Sequence, residues 1–392
     1  AGMLLLSYVV WLAGSARIPF SRLTIGVALL ALTLLGAYLA YRQREALSQE
    51  LRTRRGYFLA VEGLFLAFFL AFLLVRLGNP DLWHPWKGGE KPMDFAYFNA
   101  VLKSTSFPPY DPWYAGGYLN YYYYGFVLVG TLVKFLGITP SVAYNLILPT
   151  LFSLIAMGAF SIVWNLVRSD ALSAALQGQT PNGLRLRSGR QAPAGPAEAL
   201  SPYLPATFGA FAMAVLGNLG TVRMIYQGFQ RLAAPAGALE EATLLMRWLW
   251  TLQGLGKALA GESLPYGAGD WYWIPSRAIP APGDVEPITE FPYFTVLYAD
   301  LHAHLLALPL ALLALGLIVG LVLGKGRWSN WRGPAAWFGL AALAIGALRP
   351  TNTWDMPTYL ALGIVAIVYT FSRRQRSSDA HGSALSGSRG LL

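Results

Sequence analysis

One aspartate and two histidines, Asp300, His302 and His304, lie close together at the start of a long apolar segment. Divalent cation sites and general acid–base sites both use carboxylates and imidazoles. On a continuous helix Asp300 and His304 share one face, whereas His302 points about 200° away. An unwound backbone would let all three converge. The pattern predicts a site for Mg²⁺ or Mn²⁺, or for acid–base catalysis; the alternative is helix capping, which the helix dipole favours for an aspartate.

Two arginines stand next to apolar or aromatic residues. Arg277 follows a tryptophan-rich stretch, and Arg349 ends an apolar segment. A guanidinium near lipid is costly unless it is paired, and it binds phosphate through two parallel hydrogen bonds. We therefore expect Arg277 and Arg349 to bind a phosphate in the substrate. The alternative is that they pair with the nearby carboxylates Glu290 and Asp355, which we include among the candidate substrate-binding residues.

Aromatic residues are concentrated at the ends of the polar segments. Four consecutive tyrosines separate a polar, proline-rich loop from an apolar run. Amphipathic rings gather at membrane–water boundaries. The tyrosines indicate either a structured loop lying on the membrane surface or an aromatic belt and nothing more. The rings in these segments are Tyr121, Tyr122, Tyr123, Tyr124, Trp271 and Trp273.

A single carboxylate, Asp94, opens a short helical pattern over 94–102 within the loop 77–119. As an acid in the first turn of a helix, it can stabilise the helix N-terminus.

The composition indicates a membrane protein. Hydrophobic residues make up 55% of the 392 residues and charged residues 12%, with a mean hydropathy of +0.45. About 20 apolar residues cross a bilayer as a helix, so the fold class is an all-α, polytopic transmembrane bundle. The chain has no cysteine, which excludes disulfides and thiolate ligands. The clearest apolar runs are 23–41, 57–77, 143–167, 203–219, 296–323, 334–348 and 358–371.

The formal net charge of +10 indicates which segments face the cytoplasm. We do not interpret it as affinity for nucleic acid. Arginine and lysine are concentrated in short hydrophilic connections, as the positive-inside rule requires of cytoplasmic segments. The polar segments 77–119, 220–295 and 349–357 must then lie outside. Every candidate chemical residue falls in or beside them. We therefore predict a multi-pass protein of the plasma membrane with one extracytoplasmic site.

Two apolar stretches, 121–137 and 143–167, separate the outer tyrosines from a basic connection. Two full crossings would place that connection outside. Either 121–137 is an interfacial or re-entrant half-helix, or the insertion 169–200 lies outside despite its arginines. We favour the half-helix, because it keeps all later motifs on one face.

The chain has one main domain. Residues 1–376 are predicted to form a transmembrane domain of about eight membrane segments, with a flexible inner insertion at 169–200. Residues 377–392 have the composition of a disordered tail. We expect the chain to be part of a longer protein, in contact with membrane lipids and with other membrane subunits or the remainder of that protein.

Four motifs occur in a characteristic order: N-Y-Y-Y-Y-G at 120–125, E-F-P-x-F at 290–294, A-D-L-H-A-H at 299–304 and R-P-T-N-T-W-D-x-P at 349–357. A tryptophan followed by Ser-Arg, at 273–277, lies among them. Together they resemble the YYY family of uncharacterised polytopic membrane proteins of Chloroflexi and archaea. The resemblance covers nearly the whole chain and implies a membrane protein without naming its chemistry.

A more distant similarity is to the GT-C glycosyltransferases, which use polyprenyl-phosphate-linked sugars. Those enzymes carry acidic residues in their first long outer loop, where this chain has Asp94; the usual pair of acids is reduced to Asp94 followed by Phe95. The similarity implies sugar transfer from a lipid-linked donor at the extracytoplasmic face, with Asp94 as the catalytic base and with the six rings named above bound to the substrate, stacked on the C–H surface of the sugar. A general base must lie about 2.6–3.2 Å from the hydroxyl whose proton it removes. The alternative for Asp94 is a first-turn acid that only stabilises the helix N-terminus. The alternatives are a non-catalytic structural or lipid-binding subunit of a larger complex and, third, a transporter.

Overall fold

The computed structural model describes residues 1–83, 89–120, 122–168, 201–267, 269–279, 283, 287–324 and 331–387. Within these ranges the regular elements are helices, and the only β-type pairing is one isolated bridge between Tyr110 and Tyr118. The predicted all-α class is confirmed. The inner insertion 169–200 and the end of the predicted disordered tail, 388–392, lie outside the described residues.

The first half of the chain contains seven described helices. Their bounds are α1 Gly2–Ser15, α2 Arg22–Arg42, α3 Arg44–Thr53, α4 Arg55–Gly78, α5 Lys91–Lys103, α6 Tyr123–Leu136 and α7 Pro140–Val167. The helices of the second half are α8 Tyr203–Phe211, α9 Gly220–Ala233, α10 Leu244–Leu259, α11 Asp270–Trp273, α12 Pro292–Tyr298, α13 Ala303–Val322, α14 Arg332–Thr351 and α15 Asp355–Gly387. Helix α8 continues as a π-helical turn over Ala212–Leu216, and α11 is a single short turn.

Five helices among the described residues are long and apolar enough to cross a membrane, namely Arg22–Arg42, Arg55–Gly78, Pro140–Val167, Ala303–Val322 and Asp355–Arg373. They coincide with five of the predicted runs. The run 203–219 is long and apolar enough to cross a membrane only when two helical segments are counted together, Tyr203–Leu216 and Gly220–Ala233, which are bent by 70° relative to each other. The run 334–348 lies in α14, which has an arginine at each end and is not among the five.

The chain divides into two compact units: Ala1–Ala210 with Asp300–Leu392, and Phe211–Ala299. In the first unit α7 packs against both α4 and α13. Gly158 of α7 allows close packing there, because a Cβ atom on it would lie 3.0 Å from Cβ of Leu312 on α13. Side chains of α7 are correspondingly buried along most of its length.

The helices α7 and α13 run in the same direction. Near their N-termini the Leu301 N–H donates to the Tyr144 hydroxyl at 3.0 Å. At the other end of α7, Tyr57 at the start of α4 donates to Ser161 and packs on Trp164. Twenty residues of helix separate Tyr144 from Trp164, which is about 30 Å and matches the hydrocarbon thickness of a bilayer.

A buried arginine fixes the C-terminal end of α4 to the N-terminal end of α7. Arg76 is 4% exposed and donates through Nε and Nη2 to the Asn145 side-chain oxygen, at 2.9 and 2.6 Å, and through Nη2 to the Asp81 carbonyl. The amide of Asn145 donates in turn to the carbonyls of Pro80 and Ser141. This network satisfies a guanidinium that would be costly to bury alone.

The short helix α6 is about 21 Å long, from its 14 residues and the helical rise. The ring of Tyr122, just before α6, packs on His302, and Tyr144, in the second turn of α7, contacts Leu301. The chain therefore contacts the segment 301–302 twice, once just before α6 and again near the start of α7. This is the geometry expected of a re-entrant half-helix; the crossing status of 121–137 stays a prediction.

The second unit contains α9 to α12. Leucines recur at near-helical spacing over 240–259, and this segment contains the helix α10. Gly254 of α10 lies so close to the backbone of Phe229 in α9 that no side chain would fit there. Several leucines of α10, among them Leu244, Leu252 and Leu259, remain exposed within the unit.

Candidate functional site: a buried carboxyl pair beside a glutamate and two histidines

Asp94 lies in the first turn of α5, after Pro92, which favours a helix start. Its side chain is 0% exposed, and its carboxyl group lies beside that of Asp300. Burial, the hydrogen bond that the two carboxyl groups form when they hold a proton, and the charges of Asp300 and Glu90 raise the pKa of Asp94 to about 10. Two carboxyls in contact cannot both ionise readily, so the pair retains a proton at neutral pH.

Asp300 precedes α13 and is 9% exposed. Its Oδ2 accepts the Glu90 N–H at 3.3 Å, and the next backbone N–H, that of Leu301, donates to Tyr144. Within the described residues, no N–H or hydroxyl donor reaches Oδ1 of Asp300 or either carboxylate oxygen of Asp94. Because buried polar atoms need partners, a proton shared between the two carboxyl groups is the arrangement that satisfies them.

The two histidines lie on the more exposed side of this pair. Nε2 of His302 lies 2.6 Å from Oε2 of Glu90, and its Nδ1 lies 3.0 Å from Nδ1 of His304. The side chains of Glu90 and His302 are 52% and 27% exposed. Glu90 therefore connects the two parts of the cluster, since its backbone contacts Asp300 and its carboxylate contacts His302.

The backbone is not a continuous helix between Asp300 and His304, so the shared helical face does not arise. Helix α13 begins at Ala303, and His302 is its extended N-terminal capping residue, with φ −71° and ψ 161°. Ala299 adopts a left-handed conformation, φ 63°, which ends the preceding helix α12. The predicted apolar run 296–323 is broken at this point, and the break turns the Asp300 carboxyl group towards Asp94.

The predicted metal ligands Asp300, His302 and His304 do not converge on one point in this arrangement. Asp300 faces Asp94 and the Glu90 N–H, whereas the two imidazoles face each other. In the described part of the chain, no three histidine, aspartate or glutamate side chains are placed to share a metal ion. We derive no step through a cation, and the divalent cation stays a prediction.

The tyrosine motif is packed inside the protein over its described residues; Tyr121 lies outside them. Tyr122 has a φ of 27°, is 6% exposed and packs on His302, Tyr97 and Phe126. Tyr123 accepts a hydrogen bond from the Trp11 indole, and Tyr124, 1% exposed, packs edge-on against the same ring. Of these rings, Tyr122 is the one in contact with the cluster.

Arg349 and Asp355 lie at the helix ends around the loop between α14 and α15. Arg349 is exposed, and its carbonyl accepts the Thr353 hydroxyl; the Asp355 carboxylate accepts the Asn352 amide. The neighbouring Thr351 is buried. A Cβ atom added to Gly125 would lie 3.3 Å from the methyl group of Thr351. The start of α6 therefore packs against the α14 end that carries Arg349.

The remaining predicted residues lie in the second unit. The Arg277 guanidinium stacks on the Trp273 ring at 4.0 Å and donates to the Ser276 hydroxyl. Trp271 packs edge-on against Tyr266, and Glu290 accepts the Thr295 hydroxyl. Arg277 and Trp273 therefore form a cation–π pair within that unit, whereas the contact of Trp271 is with Tyr266.

Sequence reasoning missed Glu90 and Tyr144. Glu90 lies in the predicted outer loop, two residues before Pro92. The sequence signal that could have identified it is an acidic residue just before the start of a helix. Tyr144 is a single hydroxyl in an apolar helix, and nothing in its local sequence distinguishes it from a core aromatic residue.

The fold and the cluster define an α-helical, polytopic membrane protein with a buried carboxyl pair. The sequence matches the family described as Uncharacterized membrane protein (DUF2298) over residues 5–390, and the chain belongs to this family. Neither the curated proteins nor the solved structures gave a match.

Proposed function

We propose that this protein is a membrane-embedded glycosyltransferase that transfers a sugar from a polyprenyl-phosphate-linked donor at the extracytoplasmic face. The observation that carries the proposal is the contact between the carboxyl groups of Asp94 and Asp300, beside Glu90 and the two histidines. The distant similarity to GT-C enzymes supports the same class, because Asp94 stands in the corresponding outer loop.

The burial of Asp94 changes the role that we assign to it. A side chain that is 0% exposed and holds its proton does not reach an acceptor hydroxyl. Asp94 is therefore a positioning residue: it holds Asp300, whose Oδ2 holds the Glu90 backbone. Glu90 in turn orients His302 through the contact at Nε2.

The histidines supply the proton acceptor in this proposal. As the acceptor oxygen attacks the anomeric carbon, its O–H proton passes to an imidazole of the His302–His304 pair. The bond between the anomeric carbon and the phosphate oxygen breaks, and its electron pair leaves with the polyprenyl phosphate. The Glu90 carboxylate stabilises the imidazolium that forms, as a neighbouring negative charge does.

The proposed extracytoplasmic location of the cluster is supported by the positions of the carboxyl groups and the arginines at opposite ends of α7. The carboxyl cluster lies at the N-terminal ends of α7 and α13, whereas Arg54 and Arg168 lie near the C-terminal end of α7. About 30 Å of helix separates these ends. If the arginine end is cytoplasmic, as the positive-inside rule favours, the cluster faces outward.

The test uses the full chain in lipid nanodiscs with polyprenyl-phosphate-linked glucose and mannose supplied in turn. Release of polyprenyl phosphate is measured with water as the acceptor of the sugar, so the natural acceptor does not have to be known in advance. His302→Gln is expected to lower the rate by about 10²-fold or more, the usual contribution of a general base. Asp111→Asn, a change in the predicted outer loop 77–119 at a residue outside the cluster, is expected to leave the rate unchanged.

The proposal is wrong if the folded wild-type protein releases no polyprenyl phosphate from either donor. It is also wrong if His302→Gln and Asp111→Asn release it at the same rate. The structural-subunit alternative predicts both of those outcomes.

A further inference from the structure

A large apolar cavity lies between the helices of the first unit. Its volume is about 690 Å³, within the range of small-molecule and cofactor sites. It follows α13 from Leu306 to Gly320, which is about 21 Å of helix. The other walls are formed by side chains of α1, α6 and α7, and by Trp337 of α14.

One end of this cavity is cationic. Arg54 and Asn165 line the apolar cavity and also a small polar cavity of about 100 Å³, which Trp164 and Arg168 complete. Nε of Arg54 contacts the Glu50 carboxylate at 3.0 Å, and the Arg168 guanidinium lies 5.8 Å from the centre of the Trp164 ring. A guanidinium carries five N–H donors, so the Glu50 contact engages only part of Arg54.

The two cavities together have the shape and charge of an anionic amphiphile. We infer that the first unit binds an anionic phospholipid, with its phosphate at Arg54, Arg168 and Asn165 and one acyl chain along α13. Guanidinium groups recognise phosphate bidentately, and basic pockets between membrane helices bind anionic headgroups. The apolar walls provide the burial that an acyl chain requires.

This site is separate from the proposed catalytic cluster. The arginine end lies beside the C-terminal part of α7, and Tyr144 and Asp300 lie at its N-terminal part, about 30 Å away along the helix. A phospholipid headgroup at the arginine end therefore belongs to the leaflet opposite the cluster. Lipid binding there does not depend on sugar transfer.

A glycine in the cavity wall permits a variant that blocks the acyl chain. A Cβ on Gly316 would meet only Ile162 Cγ1, at 3.8 Å, so a larger side chain can enter the cavity without a clash at its first carbon. Gly316→Leu also replaces a helix-weakening residue by a helix former. Gly339→Leu is the matched control, because Gly339 is an exposed position of α14 with nothing within 4 Å.

The experiment is native mass spectrometry of the full chain in detergent, titrated with phosphatidylglycerol and, separately, with phosphatidylcholine. Phosphatidylglycerol is expected to bind more tightly. The double variant R54Q/R168Q should weaken its binding about tenfold or more, as expected when charge-assisted hydrogen bonds are lost. Gly316→Leu should also weaken it. The controls are R44Q/R52Q, which removes the same charge from α3, and Gly339→Leu; both should bind phosphatidylglycerol like the wild type.

Equal binding of the two lipids would overturn the inference, and so would unchanged phosphatidylglycerol binding in R54Q/R168Q or in Gly316→Leu. A third titration, with polyprenyl phosphate, separates this site from the donor site. If polyprenyl phosphate displaces phosphatidylglycerol and loses affinity in the same two variants, the cavity belongs to the donor and the inference is wrong.

Discussion

The carboxyl groups of Asp94, in the first turn of α5, and Asp300, just before α13, lie beside each other in the interior of the first unit. They come from distant parts of the chain and share one environment with Glu90, Tyr144 and Lys91. Lys91 is also buried, and burial lowers its pKa, with the charge of Asp81 opposing that effect. The pair therefore has a buried cation nearby.

This relationship predicts how stability depends on pH. Below about pH 4 the Asp94 carboxyl is protonated in both the folded and the unfolded chain. Between its unfolded pKa, 3.8, and its folded pKa, about 10, only the folded chain keeps the proton. The free energy of unfolding should therefore fall as pH rises through this window, by up to about 1.4 kcal/mol per pH unit from this group.

Asp94→Asn should remove that slope, because the amide does not titrate. Thermal unfolding in nanodiscs from pH 5 to pH 9 checks this, with Asp111→Asn as the control that keeps the wild-type slope. A wild-type midpoint that rises with pH over this range, or an Asp94→Asn variant with the wild-type slope, would contradict the assignment.

The hydroxyl of Tyr144 holds the backbone at the start of α13. Tyr144→Phe would leave the buried Leu301 N–H without its acceptor, at a cost of about 1–3 kcal/mol in the free energy of unfolding. Hydrogen exchange of the Leu301 amide should accelerate in parallel. Tyr118→Phe, at a ring that is 52% exposed, should change neither quantity. Equal effects of the two changes would show that the Tyr144 contact is not stabilising.

The contact between α6 and α13 depends on a glycine. A Cβ on Gly125 would lie 2.7 Å from Leu306 Cδ1 and 3.1 Å from Leu306 Cβ. Gly125→Ala should therefore force the two helices apart and lower stability by about 1–3 kcal/mol, as overpacking does. Gly339→Ala, where nothing lies within 4 Å, should be neutral or stabilising. A Gly125→Ala variant with the wild-type melting temperature would mean that the helices are not packed this closely.

Arg76 should not tolerate lysine, although the charge is kept. Its Nε and Nη2 both donate to the Asn145 oxygen, which a lysine ammonium cannot reproduce in the same geometry. We expect Arg76→Lys to cost about 1.5–3 kcal/mol in the free energy of unfolding. The exposed Arg52→Lys is the control. A double-mutant cycle with Asn145→Ala measures the coupling directly, and a coupling energy near zero would refute the bond between α4 and α7.

The helices could be predicted from the sequence because apolar runs in a bilayer must satisfy their own backbone. Charge placement also predicted that Asp94 and Asp300 belong to one site. The sequence left two cases open at Ala299, a continuous helix and an unwound backbone, and could not decide between them because a left-handed alanine has no sequence signal. The burial of Tyr122 and Tyr124 was missed for a related reason: tyrosines at a membrane boundary and tyrosines in a core look alike until the neighbouring helix is known.

Glu90 shows the limit of local patterns most clearly. Its role arises because α5 packs beside the segment that precedes α13, and this contact between distant parts of the chain places its carboxylate on His302. No spacing within the loop 77–119 contains that information. The same holds for Tyr144, whose partner is a backbone N–H far along the chain.

Infrared spectroscopy of the carboxyl groups tests the central claim most directly, because a protonated carboxyl absorbs apart from a carboxylate. The wild-type protein in nanodiscs at pH 7 should show a protonated-carboxyl band that Asp94→Asn removes and Asp111→Asn leaves in place. A wild-type spectrum without such a band, or a band that survives in Asp94→Asn, would show that Asp94 and Asp300 do not share a proton, and the proposed site would lose its foundation.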